Sequence, residues 1–539
     1  MNQTVSPEAA AAERAGEGAR VARGATVLAG ATMLSRITGF VRDAAILAVF
    51  GAAGGDLWFL AWRLPNVMRR LVAEGSLTVS FVPLFTNQLE NQGRSAAHQF
   101  TNRAFTLAAL ALATMVALAV WQMPHIVGAL ASTWRTAPEK FASTVELARW
   151  AFPYLLMVGL VALSMGVLNS LRRFFIPAVS SVLLNLTLCA GALVFSTWAE
   201  PPIMGLGWAA VLGGVAQLTL VLGAMGRAGF FPRLDFRFRD PGLKRLLVLM
   251  GPATFGASVH QLNLLLSTAF ATSVSDGAVA WLYSADRLIE LPLGVVAVSI
   301  AVATLPSLSA STARGDMSAY KSTLLSSLRQ LLFLVLPAAA GLMVLAVPIM
   351  STVFQRGEFN HADSLASANA LVLYALGLPF VAGSRVVIQG FYALEDTKTP
   401  VAVGALSVLT FASMALALMP GMGHRGIAVA SSAAAAVNLS VNLALLRRKV
   451  GPLGLRRLVG LVGRCALGLV GLVGAAYLTA QSGDWRAGAT GLSWATARNV
   501  AALGAAVAAG AGAYAALTLA AGLPEATATW QRLRRRLGR

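Results

Sequence analysis

Charged residues set inside long apolar stretches are the part of this sequence that could do chemistry. The run Leu34-Ser35-Arg36-Ile37-Thr38-Gly39-Phe40-Val41-Arg42-Asp43 carries two arginines and a carboxylate. On a helix Arg36 and Asp43 fall within about 20° of one another, with Arg42 on the flank of that face. Further on, Arg63, Asn66, Arg70 and Glu74 share an arc of about 80° at helical spacing, a polar stripe from which Arg69 departs. A third group places Asp286 and Glu290 at i,i+4 with Arg287 beside them, followed by Pro292 and Gly294, and Arg385 stands alone in a later apolar stretch. Charges are costly in hydrocarbon and normally face a bundle interior or a watery cavity, where they hold a polar substrate or pair with one another. Several guanidinium groups suit an anionic amphiphile, a diphosphate in particular, because the planar fork stays protonated and aims paired hydrogen bonds. The alternative is structural ion pairing, Arg42 with Asp43 and Arg287 with Asp286, which would serve the fold alone.

Covalent chemistry finds little support. The sequence has no P-loop lysine motif, no His-Glu-x-x-His pair and no nucleophile elbow in a suitable setting. The five histidines, His98, His125, His260, His361 and His424, lack metal-like spacing, and His260, beside Gln261 and Asn263, reads as a hydrogen-bonded interior residue. Cys189 and Cys465 both lie in apolar segments, which argues for small core residues and against a disulfide framework or a thiolate metal cluster. No catalytic residue, cofactor or metal is expected.

The elements that must position these charges are membrane helices. The chain has 539 residues, 57% hydrophobic and 12% charged, with a mean hydropathy of +0.70. Apolar stretches of about 20 residues recur, long enough to cross hydrocarbon as helices, and no barrel-like alternation appears. Segmentation predicts fourteen crossings, at residues 27–50, 57–88, 104–124, 145–168, 176–197, 203–226, 246–270, 278–309, 323–350, 366–390, 400–420, 425–446, 458–480 and 493–521. The formal charge of +20 could suggest nucleic acid, but its arginines are spread over short loops and tails, so no nucleic-acid partner is expected. With both termini cytosolic, the cytosolic loops and tails hold 26 Lys or Arg against 5 on the other side, which orients the chain. Residues 1–26, polar and alanine-rich, read as a disordered and uncleaved cytosolic tail.

A weak internal echo suggests repeated halves. Gly54-Gly55-Asp56 leads into Leu60-Ala61-Trp62-Arg63 and later Pro83, as Asp276-Gly277 leads into Leu282-Tyr283-Ser284-Ala285-Asp286-Arg287 and later Pro306. The expected organisation is an all-α polytopic membrane protein. It divides into a tail (1–26), a six-helix lobe (27–226), a basic cytosolic linker (227–245) and a second six-helix lobe (246–446). A linker with two further helices (447–521) and a basic cytosolic tail (522–539) complete it.

At these residues the chain resembles the MviN/MurJ lipid II flippases, a branch of the multidrug, oligosaccharidyl-lipid and polysaccharide exporter superfamily. The signatures are Ser35-Arg36 with Gly39-Phe40-Val41-Arg42-Asp43, then Arg63-Leu64-Pro65-Asn66-Val67-Met68-Arg69-Arg70 with Ala73-Glu74-Gly75. The second half adds Ala285-Asp286-Arg287-Leu288-Ile289-Glu290, Leu305-Pro306-Ser307-Leu308-Ser309, Gly390-Phe391-Tyr392-Ala393 and Asp396-Thr397-Lys398-Thr399-Pro400. The resemblance implies two six-helix lobes around a central cavity, with two C-terminal helices forming a lipid-facing groove. It implies transport, in the bacterial inner membrane, of undecaprenyl-diphosphate-linked peptidoglycan precursor, lipid II, from the cytosolic to the periplasmic leaflet. Membrane lipids and the peptidoglycan synthesis machinery are the implied partners. The family's essential arginines match Arg36, Arg42, Arg69 and Arg287, and its acidic residue at the start of the second helix matches Asp56. Asp43, Arg63, Asn66, Arg70, Glu74, Asp286 and Glu290 are expected in support. The helical projection favours Arg70 where the resemblance favours Arg69; the latter is preferred because a bent helix need not keep ideal projection. An exporter of another polyprenyl-linked oligosaccharide, or a non-transporting scaffold for cell-wall enzymes, are the rival readings.

Overall fold

In a computed structural model, residues 7–71, 77–486 and 494–537 are described. They form nineteen α-helices and no strand, with one isolated bridge between Arg356 and Phe359. The order is α1 (Pro7–Met68), α2 (Thr78–Asn91), α3 (Gly93–Trp121), α4 (Met123–Leu130), α5 (Pro138–Ala151), α6 (Tyr154–Ser170), α7 (Phe175–Leu193), α8 (Met204–Arg227) and α9 (Pro241–Thr272). There follow α10 (Ala278–Pro292), α11 (Val298–Ala313), α12 (Met317–Val344), α13 (Ala346–Val353), α14 (His361–Ala393) and α15 (Lys398–Met422). The last are α16 (His424–Val450), α17 (Arg456–Ala480), α18 (Trp494–Ala520) and α19 (Pro524–Leu537).

Twelve helices among the described residues are long and apolar enough to cross a membrane. Their outer faces carry large apolar side chains, among them Leu409, Val459, Val470 and Leu478. That exposure would be unfavourable in water and is the expected state against lipid. The chain is thus an all-α polytopic membrane protein.

Two local features depart from simple crossings. Residues 7–26, expected to be disordered, continue as the first turns of α1. Their alanine, glutamate and arginine content has high intrinsic helix propensity, which polar composition alone does not reveal. Inside α1, Gly51 has φ +62°, ψ −169° and breaks the helix where the first crossing was expected to end. A side chain there would be strained and would press on the Glu358 carbonyl, since a built Cβ lies 3.1 Å from that oxygen. The neighbouring Ala48 carbonyl accepts a hydrogen bond from the Glu358 amide at 2.9 Å, so the broken turn is closed by the loop between α13 and α14.

The chain divides into two compact units, one of Met1–Ile46 with Leu60–Gln261 and the other of Leu47–Phe59 with Leu262–Arg539. The first is packed around Phe81, Phe85, Phe100, Val167, Met225 and Phe230. Phe81 stacks on Phe100 at 5.4 Å between centroids, and Phe85 meets Phe230 edge-on at 5.5 Å. Its strap between α8 and α9 is clipped by Arg103, which donates to Asp235 at 3.1 Å and also to Asp240. Hydrogen bonding by the Arg237 amide, working against burial and helped by Arg103, holds the Asp235 carboxyl below its usual range. In the second unit α12, α17, α18 and α19 bury Phe333, Leu461, Cys465, Leu472, Tyr514 and Leu523 together. Tyr514 donates to the Phe333 carbonyl at 2.9 Å and touches the Cys465 sulfur at 3.5 Å, consistent with a cysteine that is a packing residue.

Candidate functional site

Within the first unit Arg42 and Asp43, on the first crossing, form a buried knot with Asn185. Arg42 Nε and Nη2 both donate to Asp43 Oδ1, at 2.9 and 2.6 Å, and Arg42 Nη1 donates to Asn185 Oδ1 at 3.0 Å. Arg42 is 7% exposed and Asp43 1%. Asn185, on α7, turns its amide nitrogen back to the Ser35 carbonyl and to Thr38 Oγ1, each at 3.0 Å. One amide thereby ties α7 to two turns of α1 while satisfying the arginine. A buried pair of this kind repays its desolvation only when its remaining donors and acceptors are met, and Asn185 meets the Nη1 donor of Arg42. Arg36, one to two turns before, is half-buried.

Asn185 was not among the expected residues. Its signal was present, a lone amide in the apolar run Val182-Leu183-Leu184-Asn185-Leu186, but its partner lies 143 residues away.

The stripe on the second crossing is also in the first unit. Arg63, Asn66, Arg69 and Arg70 are all half-buried. Arg69 Nε donates to Asn66 Oδ1 at 3.2 Å, so a member of the stripe joins the arginine that the projection had set apart. The contact is the ordinary i,i+3 one, which a projection judged by the stripe's centre overlooks; residues 69–71 are π-helical, which shifts the side chains after them off the 100° register. Glu74, with Ala73 and Gly75, lies outside the described residues.

In the second unit Asp56 is buried completely. Its Oδ2 accepts from the Gly277 amide at 2.6 Å and its Oδ1 from the Ala280 amide at 2.9 Å. Asp56 therefore caps α10 from 221 residues away, meeting orphan amides and the positive end of the helix dipole. Gly277, at φ +87°, allows the chain to turn into that cap. Phe59 stacks on Tyr283 at 3.9 Å, and Trp281 donates to Asp363 at 2.9 Å, which holds α10 against α14. On the helix so fixed, Arg287 Nη1 donates to Glu290 Oε2 at 3.1 Å. The arginine and Glu290 side chains are 25% and 39% exposed, much more open than the Arg42 knot. Asp286 is half-buried on the same turn, and Arg385 is half-buried on α14.

After Pro292 the helix passes through a π-turn, Leu293–Ala297, and continues as α11. This turn begins six residues after Arg287, as the π-helical residues 69–71 begin six after Arg63. The internal echo is thus repeated in backbone geometry. Other strings of the family resemblance make contacts within the fold. Tyr320 donates to the Gly390 carbonyl at 2.8 Å, where a Cβ on Gly390 would crowd the hydroxyl. Asp396 accepts from the Thr399 amide at 2.9 Å and hydroxyl at 2.6 Å and from Lys449. Burial opposes its ionisation, but Lys449 and Thr399 prevail and hold the carboxyl at about 2.

Side chains through 252–260, including His260, lie outside the described set, and Gln261 is buried. Among the described residues no cluster of histidine, cysteine and carboxylates is arranged to hold a metal.

The arrangement can orient guanidinium groups toward an anion. A protein-family model described as "Lipid II flippase MurJ" matches residues 46–495. A probable lipid II flippase MurJ of Rhizobium meliloti (strain 1021) is 38% identical over 420 residues, covering 76% of this chain and 78% of the relative. The lipid II flippase MurJ of Burkholderia cenocepacia is 34% identical over 462 residues, covering 84% and 88%. In fold, the chain is similar to a solved "Lipid II flippase MurJ, inward closed conformation", with a TM-score of 0.72 at 21% identity, covering 95% of this chain and all of that one. It is also similar to an inward-facing multidrug resistance MATE family transporter of the MOP superfamily, with a TM-score of 0.65 at 16% identity and 80% of this chain covered.

Proposed function

Because the chain belongs to the lipid II flippase MurJ family, we propose that it moves lipid II between the leaflets of the inner membrane by alternating access, with Arg36, Arg69 and Arg287 gripping the diphosphate. Family members are transporters and not enzymes, and this chain is a multi-pass inner-membrane protein with cytosolic termini. The direction is cytosolic to periplasmic. The polar head group crosses inside protein because hydrocarbon would strip its water, while the polyprenyl tail stays in lipid or along the last two crossings.

The observation that carries the site assignment is the contrast between the two arginine settings. Arg287 sits half-open on a helix whose start is nailed by the fully buried Asp56, so its fork is presented from a rigid base. Arg42 is committed to Asp43 and Asn185 and acts as the structural knot that sets the α1 turn bearing Arg36. Asp56, Asp43, Asn66 and Glu290 support the arginines through the contacts they make or the helices they fix; Arg63, Arg70, Glu74 and Asp286 are supporting candidates by sequence. Fourteen crossings follow if α1 is counted as two at Gly51 and α9 is added to the twelve. They would form two six-helix lobes, 27–226 and 246–446, joined by the basic 227–245 linker and followed by two further helices. The π-turns after Arg63 and Arg287 supply paired hinges for alternating access. Enzymes that polymerise the exported precursor on the periplasmic side are the class of partner that consumes the product.

Head-group accessibility in proteoliposomes tests this. Lipid II should change leaflet without changing mass, and a panel of other polyprenyl-linked oligosaccharides should move far more slowly. A change of substrate mass would make the protein an enzyme, equal transport across the panel would make it a general exporter, and no transport would make it a scaffold.

A further inference from the structure

A second arginine cluster lies far along the chain from the transport arginines, at the start of α17. Arg457, Gly460, Leu461 and Arg464 recur at i, i+3, i+4 and i+7 and therefore share one face of α17. With Arg329 of α12 and with Leu523 and Glu525 at the head of α19, they line a cavity of about 200 Å³. Pockets that enclose drug-sized ligands run from about 300 to 1,000 Å³, so this one holds a small group and not a disaccharide-peptide.

Its chemistry is half satisfied. Arg329 Nη2 pairs with Glu525 Oε1 at 2.6 Å. Arg329 Nε and Glu525 Oε2 are buried and meet no hydrogen-bonding partner among the described residues. A buried donor and a buried acceptor left open beside one another call for a ligand that brings both an acceptor and a donor. Three arginines against one glutamate leave two positive charges in the lining, so the acceptor should be an anion. Gly460 contributes space: a Cβ built there meets nothing within 4 Å.

The location selects the source of that anion. The α17 residues that line the cavity, Arg457 to Arg464, fall in the first three turns of that helix, the end that the charge bias assigns to the cytosolic leaflet. The adjoining α19 belongs to a stretch of sequence rich in arginine and carrying the exposed Trp530, the composition of a segment drawn to an anionic membrane surface. We propose that this cavity binds the head group of an anionic glycerophospholipid of the cytosolic leaflet, a phosphodiester bearing free hydroxyls such as phosphoglycerol. The arginines take the phosphate, a head-group hydroxyl donates to Glu525 Oε2, and the bound lipid fastens α19 to α12 and α17.

The test uses the full-length protein, delipidated in detergent and titrated with phosphatidylglycerol, phosphatidylethanolamine, inorganic phosphate or lipid II, with bound lipid counted by native mass spectrometry. Phosphatidylglycerol should bind at one equivalent, at least tenfold more tightly than phosphatidylethanolamine, and millimolar inorganic phosphate should not displace it. R457Q/R464Q, at two exposed positions, should lower that affinity at least tenfold with an unchanged melting temperature in the lipid-free state. Gly460→Leu, which keeps every arginine and fills the cavity, should do the same. Unchanged phosphatidylglycerol binding in both variants overturns the proposal. Equal binding of phosphatidylethanolamine overturns the anionic head group, displacement by phosphate alone overturns a lipid source, and one-for-one displacement by lipid II would give the cavity to the transported substrate.

Discussion

Replacing arginine by lysine at Arg42 and at Arg287 keeps the charge at both positions and should have opposite consequences. At Arg42 three guanidinium nitrogens are engaged, two on Asp43 and one on Asn185, in a setting almost closed to water. A lysine ammonium can stay with Asp43 but cannot span to Asn185 as well, so at least one buried charge-assisted hydrogen bond is lost, at about 1.5–3 kcal/mol. Arg42→Ala strands the Asp43 carboxylate and should cost about 3–5 kcal/mol. At Arg287 the partner Glu290 is 39% exposed, and such an ion pair is worth about 0–1 kcal/mol, so Arg287→Lys should leave stability nearly untouched. If the Arg287 fork grips a diphosphate, however, the same change removes one charge-assisted hydrogen bond to substrate, and lipid II affinity should fall roughly tenfold to a hundredfold. The assay is thermal unfolding in detergent beside lipid II binding and flipping in proteoliposomes, for both variants. Arg42→Lys should lose stability first, and Arg287→Lys should lose substrate with its melting point intact. Wild-type binding and flipping by Arg287→Lys would refute the site assignment, and an unchanged melting point for Arg42→Lys would refute the reading of the knot.

Asp56→Ala should lower thermal stability by about 1–3 kcal/mol, because it leaves the Gly277 and Ala280 amides unmet at the head of α10, with Asp56→Asn intermediate. Gly51→Ala, at φ +62° against the Glu358 carbonyl, should reduce the yield of folded protein, whereas Gly463→Ala, with open space around it, should be neutral when both are compared by size-exclusion profile. The Asp396 carboxyl is lowered from its ordinary 3.8 to about 2, so its contribution to stability is complete above about pH 4 and lost as pH falls through 2; melting points across that window should flatten in Asp396→Asn. In a variant without Cys189 and Cys465, cysteine at the exposed Ala137 should react with an impermeant reagent from the periplasm and cysteine at the exposed Arg239 should not; labelling of both from one side would reject the orientation.

Hydropathy and charge add up along the chain without reference to what any residue touches, so the sequence by itself determined the membrane class, the helical composition, the orientation and which crossings carry intramembrane charge. Arg36, Arg42 and Arg287 stood out as candidates because an arginine in an apolar run is conspicuous wherever it ends up, whereas Arg69 entered only through the family resemblance. Asp43 as the neighbour of Arg42 was legible too, by adjacency; the other partners were not. Arg287 could reach Asp286 or Glu290 by spacing, and the described contact is with Glu290. Asn185 and Asp56 act on residues 143 and 221 positions away, and no local pattern carries that information. The projection set Arg69 apart because it asked which residues share the centre of one stripe, although Arg69 lies three residues from Asn66 and so reaches it on any regular helix. Strings such as Gly390-Phe391-Tyr392-Ala393 and Asp396 to Pro400 were visible as signatures, yet only packing against Tyr320 and Lys449 made them scaffold. The cavity at α17 was hidden for the same reason: Arg329, Arg457, Arg464 and Glu525 come from three helices, and burial of their unmatched polar atoms exists only once those helices have packed.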